Sequence, residues 1–181
     1  MICPPSTTAT CVASFRALDC LSAGGRRGGR GISNVRSGVG SDGMPTGSHD
    51  DSHVAYDTLP NMHPRGSGTY SKTLRIGREE DIPLMHLLAA MSYRPAKHLG
   101  ATGLAAMDER GRLQVGKIAD LVVFDYATIT DNATYEQGTL PSTGIDYVLV
   151  SGAVTVSEGS VVNDVAAGKP IRFAARDHHT E

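Results

Sequence analysis

The chain has 181 residues, of which 40% are hydrophobic and 20% charged, with a net charge of −2. That length suits one domain of ordinary size. So small a charge argues against nucleic acid or a membrane surface as the main partner, and no window holds the roughly 18 apolar residues that a membrane helix needs.

The charge is uneven. Residues 1–40 carry five arginines (Arg16, Arg26, Arg27, Arg30 and Arg36) against the single acid Asp19, a net of +4, whereas the remaining 141 residues carry 12 basic and 18 acidic side chains, a net of −6. Within 1–37, "LSAGGRRGGRGISNVRSG" has neither a helical nor a strand period and predicts a disordered Gly/Arg/Ser-rich leader without family character. It has no apolar core of a secretory signal; an organelle transit peptide and an RNA-binding Gly/Arg segment are weaker readings of it. Cys3, Cys11 and Cys20 are the only cysteines and form no Cys-x-x-Cys pair, so neither zinc nor dithiol chemistry is indicated. Their absence from Leu21 onward fits a reducing cytoplasm.

Residues 40–70 are rich in Gly, Pro, Ser and Asp and read as loop. His49 and His53 have a His-x-x-x-His spacing, but they flank Asp50, Asp51 and Ser52 in a loop rather than on a helix, and read as loop residues. Leu84, Leu87, Leu88 and Met91 then fall on one helical face, with Glu79, Glu80 and Asp81 at the end where the helix dipole favours negative charge. Helices are predicted over 83–92 and 95–99, with Pro83 in a first turn and Gly100 as a left-handed cap. His86 reads as a boundary residue, His98 as a helix-end cap, and His178 and His179 as part of a polar tail over 176–181.

Further along, "ADLVVFD" reads as a strand. "GIDYVLVSGAVTVSEGSVV" reads as three more, near 145–150, 153–156 and 160–162, with tight turns at Ser151-Gly152 and Glu158-Gly159. The class is α+β, with a small antiparallel β unit that needs something to pack against.

Five stretches occur in a telling order: "SDGMP", "HPRGSGTYSKTLR", "PLMHLLAAMSYRPAKHLG", "GRLQVGKIADLVVFDYATITDNATYE" and "PSTGIDYVLVSGAVTVSEG". From about Gly40 to Arg172 this order resembles the C-terminal end of N-acyl-D-amino-acid deacylases of the amidohydrolase superfamily. "ATYE…PSTGI" and "GKPIR" most resemble the N-acyl-D-glutamate deacylase branch. The resemblance implies a zinc-dependent (β/α)₈ barrel with a small β subdomain. Of these, the chain would carry the last β/α elements over 38–105 and the subdomain over 106–175. It also implies roles. Asp42 matches the aspartate after the last barrel strand, which touches the metal and moves a proton between water and leaving amine. Arg65 matches the arginine that holds the substrate carboxylate, and His63 orients the loop or that arginine. Tyr135 and Glu136 would seat the β unit.

These roles make chemical sense. A metal lowers the pKa of a bound water and polarises the amide carbonyl, and a carboxylate in reach serves as base. Gly43 lets the chain turn sharply, and the planar fork of an arginine matches a carboxylate. The pattern also departs from the family. No His-x-His occurs in the sequence, and "ISNVRSGVG" lacks the apolar run of a buried parallel strand. The chain is therefore expected to be the C-terminal part of such an enzyme. It would be catalytically incomplete alone and act on a small-molecule N-acyl-D-amino acid when a partner chain completes the barrel. Two alternatives are a fragment of a hydantoinase- or dihydroorotase-like cyclic amidase and a non-catalytic interaction module.

Overall fold

The computed structural model describes residues 10–14, 38–43 and 58–173. The helical part is α1 (Arg65–Glu79), α2 (Leu84–Leu88), a π-helical turn (Ala89–Tyr93), α3 (Arg94–Gly100) and a 3₁₀ turn (Ala105–Met107). The sheet is built from β1 (Thr10–Ser14), β2 (Leu121–Asp125), β3 (Ile145–Val150), β4 (Ala153–Ser157) and β5 (Ser160–Val161). Its strands lie side by side in chain order and pair antiparallel throughout.

The α+β class and the C-terminal β unit agree with the sequence reading, and one part of the leader does not. Thr10–Ser14, expected to be disordered, pairs with β2 from Thr10 opposite Asp125 to Ser14 opposite Leu121. The segment contains β-branched residues that favour strands, and it covers an edge of β2 that would otherwise present unpaired backbone groups. The rest of the leader, the loop histidines His49 and His53, and the tail histidines His178 and His179 lie outside the described residues.

The two hairpin turns form as their sequences require. Ser151 and Gly152 have φ of 52° and 86°, and Glu158 and Gly159 have 50° and 75°. Two successive left-handed residues give the turn whose twist matches a β-hairpin.

The helical region differs from expectation in three ways. First, α1 begins inside the stretch read as loop (40–70) and continues through residues given no helix. Its buried face is Gly68, Ser71, Thr73, Leu74 and Gly77, so four of five buried positions are small or hydroxylated and carry no hydrophobic periodicity. Second, Glu79 and Glu80 close α1 instead of opening the next helix; Glu79 is held by Arg75 at 3.1 Å. Left-handed Asp81 (φ 53°) turns the chain before Pro83, which stands at the N-cap of α2. Third, α2, the π turn and α3 run without a break, so Pro95 does not start a separate helix. It is the second residue of α3, after Arg94, and having no N–H it leaves the π turn short of one helical donor; the Ala90 carbonyl takes the Val39 N–H instead. Gly100 does not take the left-handed conformation; Gly103 does, at φ 94°.

One apolar core joins helices and sheet. Val39, Leu74, Leu87, Leu88, Ala90, Met91, Phe124 and Ile129 form a single buried cluster, which crosses the boundary expected near residue 105. Two polar clamps fix α1 to the segment after β2. Arg75 Nε donates to Asp131 Oδ1 at 2.6 Å, and Arg78 Nη1 donates to the Tyr126 carbonyl at 2.6 Å.

Candidate active site

The segment 38–43 lies against the π turn. A π turn bonds i to i+5, as the Arg94 N–H does here to the Ala89 carbonyl, and the neighbouring Ala90 carbonyl accepts the Val39 N–H at 2.8 Å. With Val39 buried and tied in this way, the chain emerges at Asp42. That residue takes φ 50°, a region that aspartate tolerates better than most side chains. Gly43 lies close against Gly66: a Cβ on it would come within 3.1 Å of the Gly66 Cα.

The structure brings Asp42 and Arg65 together across 23 positions. Arg65 Nη1 donates to Asp42 Oδ2 at 2.8 Å, with the side chains 36% and 59% exposed respectively. Arg65 is the first residue of α1, and His63 Nδ1 accepts its main-chain N–H at 3.1 Å. His63 is thus in contact with the arginine's backbone. His86 lies elsewhere, 3.3 Å from Arg94 Nη2, and His98 sits exposed in the last turn of α3.

Sequence reasoning missed the residues that fasten this corner. Asn61 Nδ2 donates to the Tyr135 carbonyl at 2.9 Å, and Asn61 Oδ1 accepts the Gly138 N–H at 2.8 Å. Ser67 Oγ donates to the Gly138 carbonyl at 3.0 Å, and Ser142 Oγ donates to the Ser67 carbonyl at 3.1 Å. These partners are 71 to 77 positions apart, so no local spacing announces them. The "ATYE" loop therefore docks beside Arg65, and Tyr135 sets its ring against His63, with centroids 5.1 Å apart.

Chemically the corner offers an exposed carboxylate that accepts protons and a guanidinium that binds anions. It does not by itself hold a metal. Among the described residues no three His, Cys, Asp or Glu side chains converge on one point, and a catalytic zinc needs about three protein ligands. A separate cleft of about 350 Å³, lined by Tyr93, Lys97 and Arg112 among others, contains none of the candidate residues. No helix among the described residues is long and apolar enough to cross a membrane.

Residues 24–156 match the amidohydrolase family. The match thus reaches into the segment expected to lack family character. An N-acyl-D-glutamate deacylase from Alcaligenes xylosoxydans xylosoxydans is 42% identical over 140 residues, which is 77% of this chain and 24% of that protein. The solved structure of a D-aminoacylase superposes with a TM-score of 0.59 at 34% identity, covering 75% of this chain and 25% of the other. The N-acyl-D-glutamate deacylase of Bordetella bronchiseptica, solved with zinc and a phosphonate mimic of the tetrahedral intermediate, superposes with a TM-score of 0.54 at 34% identity, covering 72% and 25%. The chain spans about a quarter of the length of the curated relatives it matches. With most of its length matched, the chain belongs to the amidohydrolase family.

Proposed function

We propose that this chain carries the proton-handling and carboxylate-binding corner of a metal-dependent amidohydrolase that cleaves the linear amide of N-acyl-D-amino acids, N-acyl-D-glutamate above all. The observation that carries this reading is the Asp42–Arg65 pair. Two residues far apart in sequence, each matching a functional position of the resembled family, meet at 2.8 Å. Amide hydrolysis needs a group that takes a proton from the attacking water and later gives one to the departing nitrogen. Asp42, exposed at the end of a buried and hydrogen-bonded segment, suits that work. A guanidinium has five N–H donors in a planar fork, so Arg65 can bind a substrate carboxylate with donors not engaged by Asp42. His63, through the backbone of Arg65, sets where that fork starts.

The matched relatives bear the names of linear-amide deacylases, which favours this reading over a cyclic amidase. A zinc site in which Asp42 takes part needs ligands from outside the described residues, since these offer one carboxylate at the site. In this reading the last barrel helix and the β subdomain are present here, a second polypeptide supplies the ligand-bearing strands, and the assembly works in the cytoplasm.

Complementation tests the reading. The purified chain is mixed with zinc and the upstream three-quarters of the Alcaligenes N-acyl-D-glutamate deacylase, and release of D-glutamate from N-acetyl-D-glutamate is followed. The chain alone is expected to be inactive and the mixture active. Asp42→Asn should lower kcat about 10²–10⁴-fold, the usual worth of a general base, while Arg65→Ala should act mainly on KM. Activity in the mixture that ignores Asp42→Asn would refute the assignment.

A further inference from the structure

We propose that Tyr135, on the loop between β2 and β3, is a positioning residue for Arg65 and acts through His63; the inference rests on Arg65 being the carboxylate-binding residue. Arg65 opens α1, so its N–H is one of the donors for which a helix has no internal acceptor. Pro64 at the N-cap provides no side-chain bond, and His63 Nδ1 takes the N–H at 3.1 Å. A neutral imidazole accepts at Nδ1 only when its proton is on Nε2. His63 is exposed, so water competes for Nδ1 and the ring can turn about a broad torsion. Tyr135 restricts that rotation. Its ring stands at 79° to the imidazole with centroids 5.1 Å apart, an edge-to-face arrangement that favours one ring orientation.

Burial does not explain the tyrosine, which is 72% exposed. Its backbone, by contrast, is held on both sides. Asn61 bonds the Tyr135 carbonyl and the Gly138 N–H. Thr134 closes the loop on Gln137 through its N–H at 3.2 Å and its hydroxyl at 3.1 Å. Gly138 is seated so closely on the Met62 carbonyl that a Cβ there has no room. A loop fixed by these bonds, with its ring left in water against the imidazole that caps Arg65, is built to set a position.

The test uses the full chain with ¹⁵N-labelled histidine and arginine at about pH 8, where an ordinary imidazole is neutral. Two-bond ¹H–¹⁵N correlation reads which ring nitrogen carries the proton. The unsubstituted chain and Tyr135→Phe should show His63 with its proton on Nε2, and Tyr135→Ala should show exchange between the two tautomers. Titration with N-acetyl-D-glutamate, followed at the Arg65 amide, should give a Kd about fivefold higher in Tyr135→Ala, the scale of one aromatic pair, and unchanged within twofold in Tyr135→Phe. Tyr135→Leu, which keeps apolar bulk without an aromatic face, should behave as Tyr135→Ala and guards against a misfolded alanine variant. If His63 keeps the Nε2 tautomer in Tyr135→Ala and Tyr135→Leu, the proposal is overturned. If no form of the chain binds N-acetyl-D-glutamate, the role of Arg65 fails, and the tautomer comparison still decides whether Tyr135 orients His63.

Discussion

Asp120, the acid of the "ADLVVFD" motif, provides the sharpest test of how this fold is held. Its side chain and that of Arg110 are 2% and 8% exposed, and Arg110 Nε lies 3.5 Å from Asp120 Oδ2 without closing a hydrogen bond. Asp120 Oδ1 accepts the Ser151 N–H at 2.8 Å, and Arg110 Nη1 donates to the Ala106 carbonyl at 2.7 Å. The gross attraction of two charges at this separation is about 5 kcal/mol at an effective dielectric of about 20. Removing one partner of a buried pair costs about 3–5 kcal/mol, because the other charge is left without compensation. Asp120→Asn keeps an acceptor for Ser151 and removes only the charge, so it should lose about 3–5 kcal/mol. With a urea slope near 2 kcal/mol/M, that lowers the unfolding midpoint by about 1.5–2.5 M. Asp120→Ala also orphans the Ser151 N–H, which adds about 1–3 kcal/mol and brings the total near the whole stability of a typical domain. Arg110→Met with Asp120→Asn removes both charges and should recover most of the loss, giving a coupling of at least about 2 kcal/mol in a double-mutant cycle. The assay is urea denaturation followed by circular dichroism for the unsubstituted chain, Asp120→Asn, Asp120→Ala, Arg110→Met and the double variant. An Asp120→Asn midpoint within about 0.5 M of the unsubstituted chain, with additive effects in the double variant, would refute the reasoning.

Three further outcomes are expected. Gly77→Ala should cost about 1–3 kcal/mol in the same assay, because its Cβ would enter the space of the Leu87 side chain, which is fully buried and cannot yield. Asp131→Ala should cost about 1.5–3 kcal/mol as Arg75 loses its charged acceptor. The hydrogen bond to Asp131, aided by Glu79 and opposed by partial burial, holds Arg75 above the ordinary guanidinium value. A raised value stabilises below the unfolded pKa and is lost only as pH rises through the folded one, so loss of the arginine's charge should not weaken this pair as pH rises from neutral to about 11. Gly138→Ala should displace the 134–138 loop from Asn61 and Met62, which would appear as exchange between the two His63 tautomers, as expected for Tyr135→Ala.

Strands β2 to β5 were legible in the sequence because their signals are local, whereas β1 lies in a segment read as disordered. The "LVVFD" run, the β-branched stretches after Gly144 and the Ser-Gly and Glu-Gly turns each identify themselves within a few residues, and the strands fall where those signals stand. Helix α1 was not legible. Gly68, Ser71 and Gly77 are buried because α1 packs closely on its neighbours, and small residues at a contact give no hydrophobic period. Glu79 and Glu80 misled for a related reason. A helix dipole favours acids at the start of a helix, and here a local ion pair from Arg75 overrides that preference at the end of one.

Legibility divides the site along the same line. Asp42 and Arg65 could be picked out because each lies in a short recognisable string, yet neither string says that the two touch. What joins them is assembled from long-range bonds whose ends are individually unremarkable: an Asn before His-Pro-Arg, a Ser within α1 and a Gly 71 positions later. These bonds also explain why the β unit stays beside the site. The Ser67–Gly138 and Arg75–Asp131 contacts fix one end and the middle of α1 to the segment that follows β2, and the apolar core continues from α1 through Phe124 to Ile129. A displacement of that segment therefore moves the start of α1, and with it the guanidinium that meets Asp42. On this geometry the β unit works as a brace for the end of the candidate site where Arg65 meets Asp42, which is why substitutions as remote as Asp131→Ala should disturb Arg65 without touching it.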